Sequence, residues 1–209
     1  MKLYYMPAAC SLAPHIVLRE LRIDAVLVRV DNKTHRTEDG SDFTVFNPFG
    51  YVPLLDLGDG TLLREGPAIL QYLADLRPES AFAPAAGSMA RYRLQEWLNF
   101  LSSEIHKGFI PLLYAQLAGR YAIDTARPKL EERLAWVDAE LAGRDYLMGT
   151  CTVADAYLYA LVQWGRAEWL VPTYRVNINY DGLHHLRDWY LKMRARPAVR
   201  EALSAEGLR

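Results

Sequence analysis

The first 76 residues alternate between short segments that suit strands, of which 25–30 is strongly β-branched, and segments whose apolar residues recur at helical spacing. This pattern predicts two strands with a helix between them, then a loop with a short helix, then a hairpin and a second helix. The predicted strands, helices and hairpin cover residues 2–6, 25–30, 11–21, 66–76 and 53–64. The order β-α-β followed by β-β-α is typical of a small α/β domain.

From residue 88 onward the apolar positions follow a helical period throughout. Ser88 is the predicted N-cap of a long helix that reaches Ile105 and is bent or interrupted near Pro111. Further helices are predicted over 130–141, from Thr152 to Leu161, and over 183–194. The Pro-, Ala- and Gly-rich stretch before residue 88 reads as a linker. We therefore predict an α/β domain over 1–80, a linker over 81–87 and an all-helical domain over 88–209.

Composition narrows the choice of partner. Apolar residues make up 51% of the chain and the formal net charge is -1, so neither nucleic acid nor a membrane surface is an expected partner. The N-terminus does not resemble a signal peptide and no segment has the ~20 apolar residues needed to span a bilayer, which predicts a cytoplasmic protein. The two cysteines, Cys10 and Cys151, have no metal-ligand spacing, so we expect no metal and no disulfide framework.

Cys10 lies between the first predicted strand and the first predicted helix. Backbone amides and the partial positive charge at a helix start lower the pKa of a thiol, which favours a reactive thiolate there. A small buried side chain is the competing interpretation, and the sequence leaves both open. Cys151 precedes a helix without such a placement, and we interpret it as structural.

Two further segments combine backbone features with polar groups. In Val52-Pro53 the proline opens a strand, so the bond is a candidate cis peptide whose flanking backbone groups could pair with an extended peptide. In Glu65-Gly66-Pro67 a carboxylate precedes the start of a helix. The helix amides suit a ligand carboxylate and Glu65 suits a ligand ammonium, although ordinary capping by Glu65 would explain the same pattern.

Asn99, Ser103 and His106 recur at three- to four-residue spacing on an otherwise apolar helix. At this spacing the three side chains share one helix face, which predicts a polar stripe lining a cleft or an interface. For His106 alone, a structural histidine held by a hydrogen bond is the favoured interpretation.

These segments occur in an order that resembles the glutathione transferases, most closely the bacterial beta class, over essentially the whole chain. The segments that carry the resemblance are Lys2–Tyr5, Ala9-Cys10-Ser11-Leu12, Pro14-His15, Trp97–Phe100, Glu104–Phe109 and Thr152–Tyr157. The last of these resembles the helix-capping box of the family, formed by Thr152 and Asp155. The resemblance implies an α/β thioredoxin-like N-terminal domain followed by an all-α helical-bundle domain, as in cytosolic glutathione transferases.

The resemblance also implies roles for individual residues. Catalytic roles fall on Cys10, which would face the sulfur of glutathione, and on Ser11 and His106 as nearby polar groups. The implied glutathione-binding residues are Tyr51, Val52 across a cis Pro53, Glu65, Gly66, His35, Asn99, Ser103 and Lys107.

The chain departs from the family pattern at two of these positions. Gly66 offers an amide where many relatives add a serine hydroxyl, and His35 stands where the class often presents lysine to the glycyl carboxylate. Because a histidine is mostly neutral at pH 7, that contact should be weaker or pH-dependent unless Arg36 replaces it.

The implied function is conjugation of glutathione, as co-substrate, to small hydrophobic electrophiles. Cys10-dependent thiol transfer or peroxide reduction is a second chemistry, and dehalogenation a third. The alternative is a glutathione-binding, ligandin or regulatory protein with little catalysis. Family members usually form homodimers, and Phe49 and Tyr51 could contact a partner subunit. Tyr114, Trp164 and Trp169 are candidates for the electrophile pocket.

Overall fold

The computed structural model describes residues 1–166 and 178–208. These residues form two compact units. One contains the chain up to Ala83 together with the residues from Ala195 onward, and the other contains the described residues from Pro84 to Arg194.

Four short strands form the sheet of the first unit: β1 (Lys2–Tyr5), β2 (Val26–Arg29), β3 (Leu54–Asp56) and β4 (Leu62–Arg64). Their order across the sheet is β2-β1-β3-β4. Strand β1 is parallel to β2 and antiparallel to β3, and β3 and β4 form the predicted antiparallel hairpin. The mixed order agrees with the predicted α/β domain.

The side chains of the central strands alternate between two buried faces. Leu3 pairs with Leu55, and both side chains are fully buried. The neighbouring pair, Tyr4 and Leu54, belongs to a core cluster with Phe43, whose ring centroid lies 5.3 Å from that of Tyr4. Phe43 begins the short helix predicted in the loop, a 3₁₀ turn over Phe43–Val45. Burial on both faces explains why these strands read as apolar runs.

Nine α-helices lie within the described residues. They are α1 (Leu12–Glu20), α2 (Gly66–Asp75), α3 (Met89–Phe100), α4 (Lys107–Leu113), α5 (Ala115–Ala118), α6 (Arg127–Glu140), α7 (Val153–Gly165), α8 (His184–Ala195) and α9 (Pro197–Ala205). Two π-helical segments, Leu101–His106 and Ala122–Ala126, precede α4 and α6, and a 3₁₀ turn covers Pro78–Ser80.

The second unit shows why its long predicted helix is irregular. The Ser88 hydroxyl accepts a bond from the Arg91 amide at 3.1 Å, which confirms the predicted N-cap of α3. The irregularity begins at Leu101, ten residues before Pro111, and Pro111 lies inside α4, which ends two residues later. The wider i→i+5 turn of a π-helix changes the direction of the side chains that follow it.

Helix α7 is the centre of the second unit, because nearly all of its side chains are buried. The buried Asp155 carboxylate accepts bonds from the Thr152 amide at 2.9 Å and the Leu147 amide at 3.0 Å. It also accepts from the Thr152 hydroxyl and the Trp189 indole, at 3.1 and 3.0 Å. Thr152 and Asp155 thus form the predicted capping box.

The C-terminal helix lies in a different unit from the one in which the sequence analysis placed it. Helix α9, which the pattern did not predict, packs on α1 and belongs to the first unit. Two side-chain pairs connect it there, Arg196 with Glu20 and His15 with Glu206. Apolar side chains of α9 are buried in addition, among them Val199 and Leu203. The predicted helical domain therefore shares its last residues with the first unit.

Candidate functional site

Cys10 and Val52 are in contact in the first unit. The Cys10 thiol donates to the Val52 carbonyl across 3.4 Å, and the bond that follows, Val52-Pro53, is cis as the sequence suggested. Cys10 lies in the turn between β1 and α1, just before the start of the helix, and is half-buried. A thiol that donates to a carbonyl is in its protonated form.

Ser11 holds this turn together. Its hydroxyl donates to the Met6 carbonyl at 3.1 Å and accepts from the Met6 amide at 3.2 Å, and the residue is fully buried. The Ser11 hydroxyl, which was predicted to assist catalysis, therefore forms both of these bonds with the backbone of the turn that contains Cys10.

A buried glutamate near the end of the chain, Glu206, forms hydrogen bonds that hold the same turn. Glu206 accepts from the Ala8 amide at 3.1 Å through one carboxylate oxygen and contacts His15 Nδ1 at 2.9 Å through the other. Both side chains of the pair are fully buried. Ala8 has a left-handed backbone with φ 61°, a conformation that costs on the order of 1 kcal/mol in a residue other than glycine. Glu206 therefore fixes a strained position two residues before Cys10.

The Val52 amide is available to an incoming peptide, since none of the described residues accepts a hydrogen bond from it. Asn47 shapes the preceding loop by donating its side-chain amide to the Tyr51 carbonyl at 2.7 Å. After Pro53 the chain enters β3, with Leu54 fully buried. The ladder of β3 begins beyond Val52, which leaves the backbone of Val52 outside the sheet pairing.

Glu65 and Gly66 stand at the start of α2. Glu65 has an unusual backbone, with φ 69° and ψ 119°, and its exposed side chain makes no capping bond to the helix. Ordinary capping therefore does not explain this residue. The Gly66 amide has no acceptor among the described residues, whereas the Ala68 amide donates to the Glu65 carbonyl at 3.1 Å. A carboxylate that faces outward beside an open amide suits a ligand that carries both an ammonium and a carboxylate.

His35 packs against Gly50, two residues before Val52. A Cβ at Gly50 would lie 2.5 Å from the Nδ1 atom of His35, so only glycine fits under the ring. His35 itself is left-handed, with φ 53°, and its Nδ1 is buried without a hydrogen-bond partner.

His106 lies in the second unit. Its Nδ1 is 2.7 Å from the Tyr157 hydroxyl, and its ring meets that of Trp164 edge-on at 5.0 Å. Burial, with a smaller contribution from the charge of Lys107, lowers the pKa of His106 to about 4. The imidazole is therefore neutral at pH 7 and held by a hydrogen bond, which agrees with the structural interpretation.

The predicted polar stripe is divided by the π-helical segment. Asn99 and Ser103 are exposed, and the Ser103 hydroxyl donates to the Asn99 carbonyl at 3.0 Å. His106 follows the wider turn and points toward Tyr157, so it leaves the exposed face. Lys107 is exposed. The sequence spacing assumed a regular α-helix, and the π turn breaks that assumption.

The residues predicted to line the electrophile pocket and those predicted to contact a partner subunit differ in solvent exposure. Tyr114 is 59% exposed, whereas Trp164 is buried, and Trp169 lies outside the described residues. Phe49 and Tyr51 are 75% and 68% exposed and stack on each other with ring centroids 6.1 Å apart. An exposed stacked pair of this size is a candidate contact surface.

Sequence analysis gave no role to Glu206 or to the hydroxyl of Tyr157. Both act through partners that are distant in the chain, and Tyr157 entered the sequence analysis only as the last residue of the capping-box segment Thr152–Tyr157. Among the described residues, no cluster of His, Cys, Asp and Glu could hold a metal ion. No helix found in those residues is long and apolar enough to cross a membrane.

Comparisons with known proteins agree with this geometry. Residues 9–76 match the family model described as "Glutathione S-transferase, N-terminal domain", and residues 100–197 match "Glutathione S-transferase, C-terminal domain". Glutathione S-transferase GstA of Escherichia coli O157:H7 is 44% identical, with 100% of both chains covered.

Two solved structures extend the similarity to the fold. A sphingomonad glutathione S-transferase complexed with glutathione is 46% identical with a TM-score of 0.90. A bacterial beta class glutathione S-transferase of Sphingomonas chungbukensis is 40% identical with a TM-score of 0.91. Each comparison covers 100% of this chain and 100% of the other. The chain belongs to the glutathione S-transferase family.

Proposed function

We propose that this glutathione transferase conjugates glutathione to small hydrophobic electrophiles, with the tripeptide bound along Val52. The observation that carries the proposal is the backbone of Val52, whose amide has no acceptor among the described residues and whose carbonyl contacts the Cys10 thiol. Extended peptides bind to such backbone edges by pairing their own amide and carbonyl groups. The sphingomonad relative complexed with glutathione supports this choice of peptide.

The γ-glutamyl end of glutathione would bind at the start of α2. It carries an ammonium and a carboxylate on one carbon, and Glu65 and the Gly66 amide offer one partner for each. Pairing of Leu54 with Arg64 in the hairpin places Glu65 across from the residues that precede β3. The cysteinyl backbone at Val52 and the glutamyl end at Glu65 are thus compatible with one extended ligand.

The thiol of the bound peptide would then lie beside Cys10. The Val52 carbonyl accepts from the Cys10 thiol at 3.4 Å and has a second lone pair for the cysteinyl N–H of glutathione. Conjugation forms a bond between the glutathione sulfur and the electrophilic carbon, while the leaving group departs with the electron pair of its own bond. Lowering a thiol pKa by two units, enough to ionise most of it near pH 7, requires about 3 kcal/mol.

Ser11 and His106 receive supporting roles in this proposal. Ser11 holds the turn that presents Cys10, and neutral His106 acts as a hydrogen-bonding group rather than as a cation. Contacts of Tyr51, Asn99, Ser103 and Lys107 with glutathione stay predictions from the resemblance, as does a homodimer that uses Phe49.

Thiol transfer through Cys10 is a second candidate, favoured by the half-buried Cys10 thiol beside the Val52 carbonyl. The Cys10 thiolate would attack the glutathione sulfur of a mixed disulfide between glutathione and another thiol, such as 2-mercaptoethanol, forming a Cys10–glutathione disulfide and releasing the other thiolate. A glutathione thiolate would then regenerate Cys10 and release glutathione disulfide, so the other thiol is reduced at the expense of two molecules of glutathione. A purely binding role is not favoured, because the close relatives are named as transferases.

Turnover with 1-chloro-2,4-dinitrobenzene, together with calorimetric titration of glutathione, tests the proposal. We expect saturable binding and release of chloride, and Glu65→Ala should raise the dissociation constant about tenfold, the effect of one lost charge-assisted contact. Glu79→Ala, an exposed acid in the 3₁₀ turn after α2, is the matched control. A protein that binds no glutathione, or binds it equally well without Glu65, would refute the proposed site.

A further inference from the structure

We propose that Asn47 is a positioning residue for the bound peptide, because its side-chain amide orients the peptide group between Tyr51 and Val52 so that the Val52 N–H faces the ligand. This inference rests on the proposed binding of glutathione along Val52 and adds a residue that acts on the ligand through the backbone. The contact that carries it is the hydrogen bond from Asn47 Nδ2 to the Tyr51 carbonyl, 2.7 Å long.

The side chain of Asn47 is buried, with 5% of the residue exposed. Because a carbonyl oxygen can only accept, the side-chain atom bonded to it is the donating nitrogen. The other polar atom, Oδ1, is buried without a partner among the described residues. An unpaired buried acceptor destabilises a fold, and a side chain that only fills space needs no amide. The bond to Tyr51 is therefore what an asparagine contributes at this position.

That bond acts on the Val52 amide through the geometry of the peptide group. The Tyr51 carbonyl and the Val52 N–H belong to one planar unit, and in a trans peptide they point in opposite directions. Val52-Pro53 is the one cis bond among the described residues, so the bond between Tyr51 and Val52 is trans. With the carbonyl held toward the buried Asn47, the N–H points away from it, and no described residue accepts from that N–H.

Each of the two peptide groups that flank Val52 is held by one side chain. Asn47 is the one donor to the Tyr51 carbonyl among the described residues, and the Cys10 thiol donates to the Val52 carbonyl at 3.4 Å. Without the Asn47 amide, the peptide group between Tyr51 and Val52 can rotate. Part of the binding free energy would then be needed to order it when the ligand binds.

The rest of the loop is held by bonds that do not involve the Asn47 side chain. The backbone amide of Asn47 donates to the Phe43 carbonyl at 3.0 Å, and its carbonyl accepts from the Gly50 amide at 2.8 Å. Arg64 of β4 donates to the Phe46 carbonyl at 2.6 Å. All three bonds can persist when the Asn47 side chain is replaced. A substitution there should therefore free one peptide group and leave the loop in place.

Calorimetric titration with three S-methylated ligands tests the inference. S-methylglutathione and S-methyl-γ-glutamylcysteine both carry the cysteinyl carbonyl that would accept from the Val52 N–H. S-methyl-γ-glutamylcysteamine has no such carbonyl. The dipeptide already lacks the glycyl residue, so comparing it with the cysteamine ligand separates the carbonyl from the glycyl end. None of the three has a free thiol, so thiol ionisation does not contribute to the affinities.

Two variants remove the donor. Asn47→Ala deletes the amide, and Asn47→Asp keeps its shape but places an acceptor against the Tyr51 carbonyl. In both variants the dissociation constant should rise about tenfold for the two ligands with the carbonyl, the effect of one lost hydrogen bond, and less than about twofold for the cysteamine ligand. Asn179→Ala, at an exposed position of the second unit, is the control and should keep all three wild-type constants. Thermal unfolding of each variant verifies folding.

The outcomes are distinguishable. Equal weakening of all three ligands would show that Asn47 supports the site as a whole, and unchanged constants would show that it does not act on the ligand. Either result overturns the role of Asn47 and leaves glutathione binding intact. If neither variant folds, the bond is needed by the whole domain rather than by one peptide group, which also overturns the inference. A wild-type protein that binds none of the three ligands would refute the proposed function, and this inference with it.

Discussion

Two neighbouring residues in the turn after β1 make different contacts. The Cys10 thiol lies 3.4 Å from the Val52 carbonyl, while the buried hydroxyl of Ser11 is bonded twice to Met6. The strand-to-helix position of Cys10 was readable from the sequence, because it depends on local pattern alone. The two bonds of the Ser11 hydroxyl to Met6 could not be predicted. The same sequence is compatible with a hydroxyl that bonds to the backbone and with one that faces a ligand.

Replacing Cys10 separates the two proposed chemistries. Cys10→Ala should abolish thiol transfer from the mixed disulfide of glutathione and 2-mercaptoethanol and keep conjugation within about threefold, less than 1 kcal/mol of transition-state stabilisation. The physical reason is that the glutathione sulfur, rather than Cys10, forms the new bond in conjugation. Parallel assays of both activities check this, with Cys151→Ala in the second unit as control. Thiol transfer that survives in Cys10→Ala would exclude Cys10 as the nucleophile.

His106 should make stability depend on pH. Its pKa is about 4 in the folded protein and about 6.5 in an unfolded chain, so the unfolded state binds more protons between these values. The free energy of unfolding is therefore unaffected by this group above about pH 6.5 and falls as the pH drops toward 4. A shift of this size corresponds to about 3 kcal/mol.

Denaturant unfolding at pH 7 and at pH 4.5 measures that difference. His106→Gln, which can still bond to Tyr157, should lose less stability over this interval than the wild type. His185→Gln, at an exposed position in α8, is the control and should behave like the wild type. An identical pH dependence in His106→Gln would show that another group titrates.

Among the helices and strands, features that depend on residues close together in the sequence were predicted, and features that depend on distant residues were not. The capping box at Thr152 and Asp155 and the N-cap at Ser88 were predicted because each needs residues only three positions apart. The hairpin was predicted from its glycine-rich turn. The π turn after Leu101 and the packing of α9 on α1 were not, because packing rather than local propensity decides them.

The contact between α9 and the turn that joins β1 to α1 should matter for both stability and activity. Glu206→Ala removes the acceptor of the Ala8 amide and leaves His15 buried without its partner. Leaving a buried polar group without its hydrogen-bond partner costs about 1–3 kcal/mol, so the midpoint of denaturant unfolding should fall. Conjugation per folded molecule should fall as well, because Ala8 is two residues from Cys10.

Glu201→Ala on the same helix is the matched control, since that side chain is exposed. Unfolding and turnover should both stay near wild-type values in this variant. If Glu206→Ala unfolded like the control, the proposed anchoring of the turn by the C-terminal helix would be wrong.

For the whole molecule, sequence and structure agree on a thioredoxin-like sheet domain and a helical domain, with both family domains matched in order. Full-length identity of 44% to a named transferase explains why the motif order alone indicated the family. Boundaries were harder to predict, because the C-terminal residues return to the first unit through contacts nearly 200 positions apart.

A crystal structure with bound glutathione tests the central claim most directly. We predict an extended tripeptide whose cysteinyl backbone pairs with the amide and carbonyl of Val52, with its sulfur beside Cys10 and its glutamyl end at Glu65 and Gly66. A glutathione molecule bound elsewhere, with the Val52 amide still unpaired, would contradict the account.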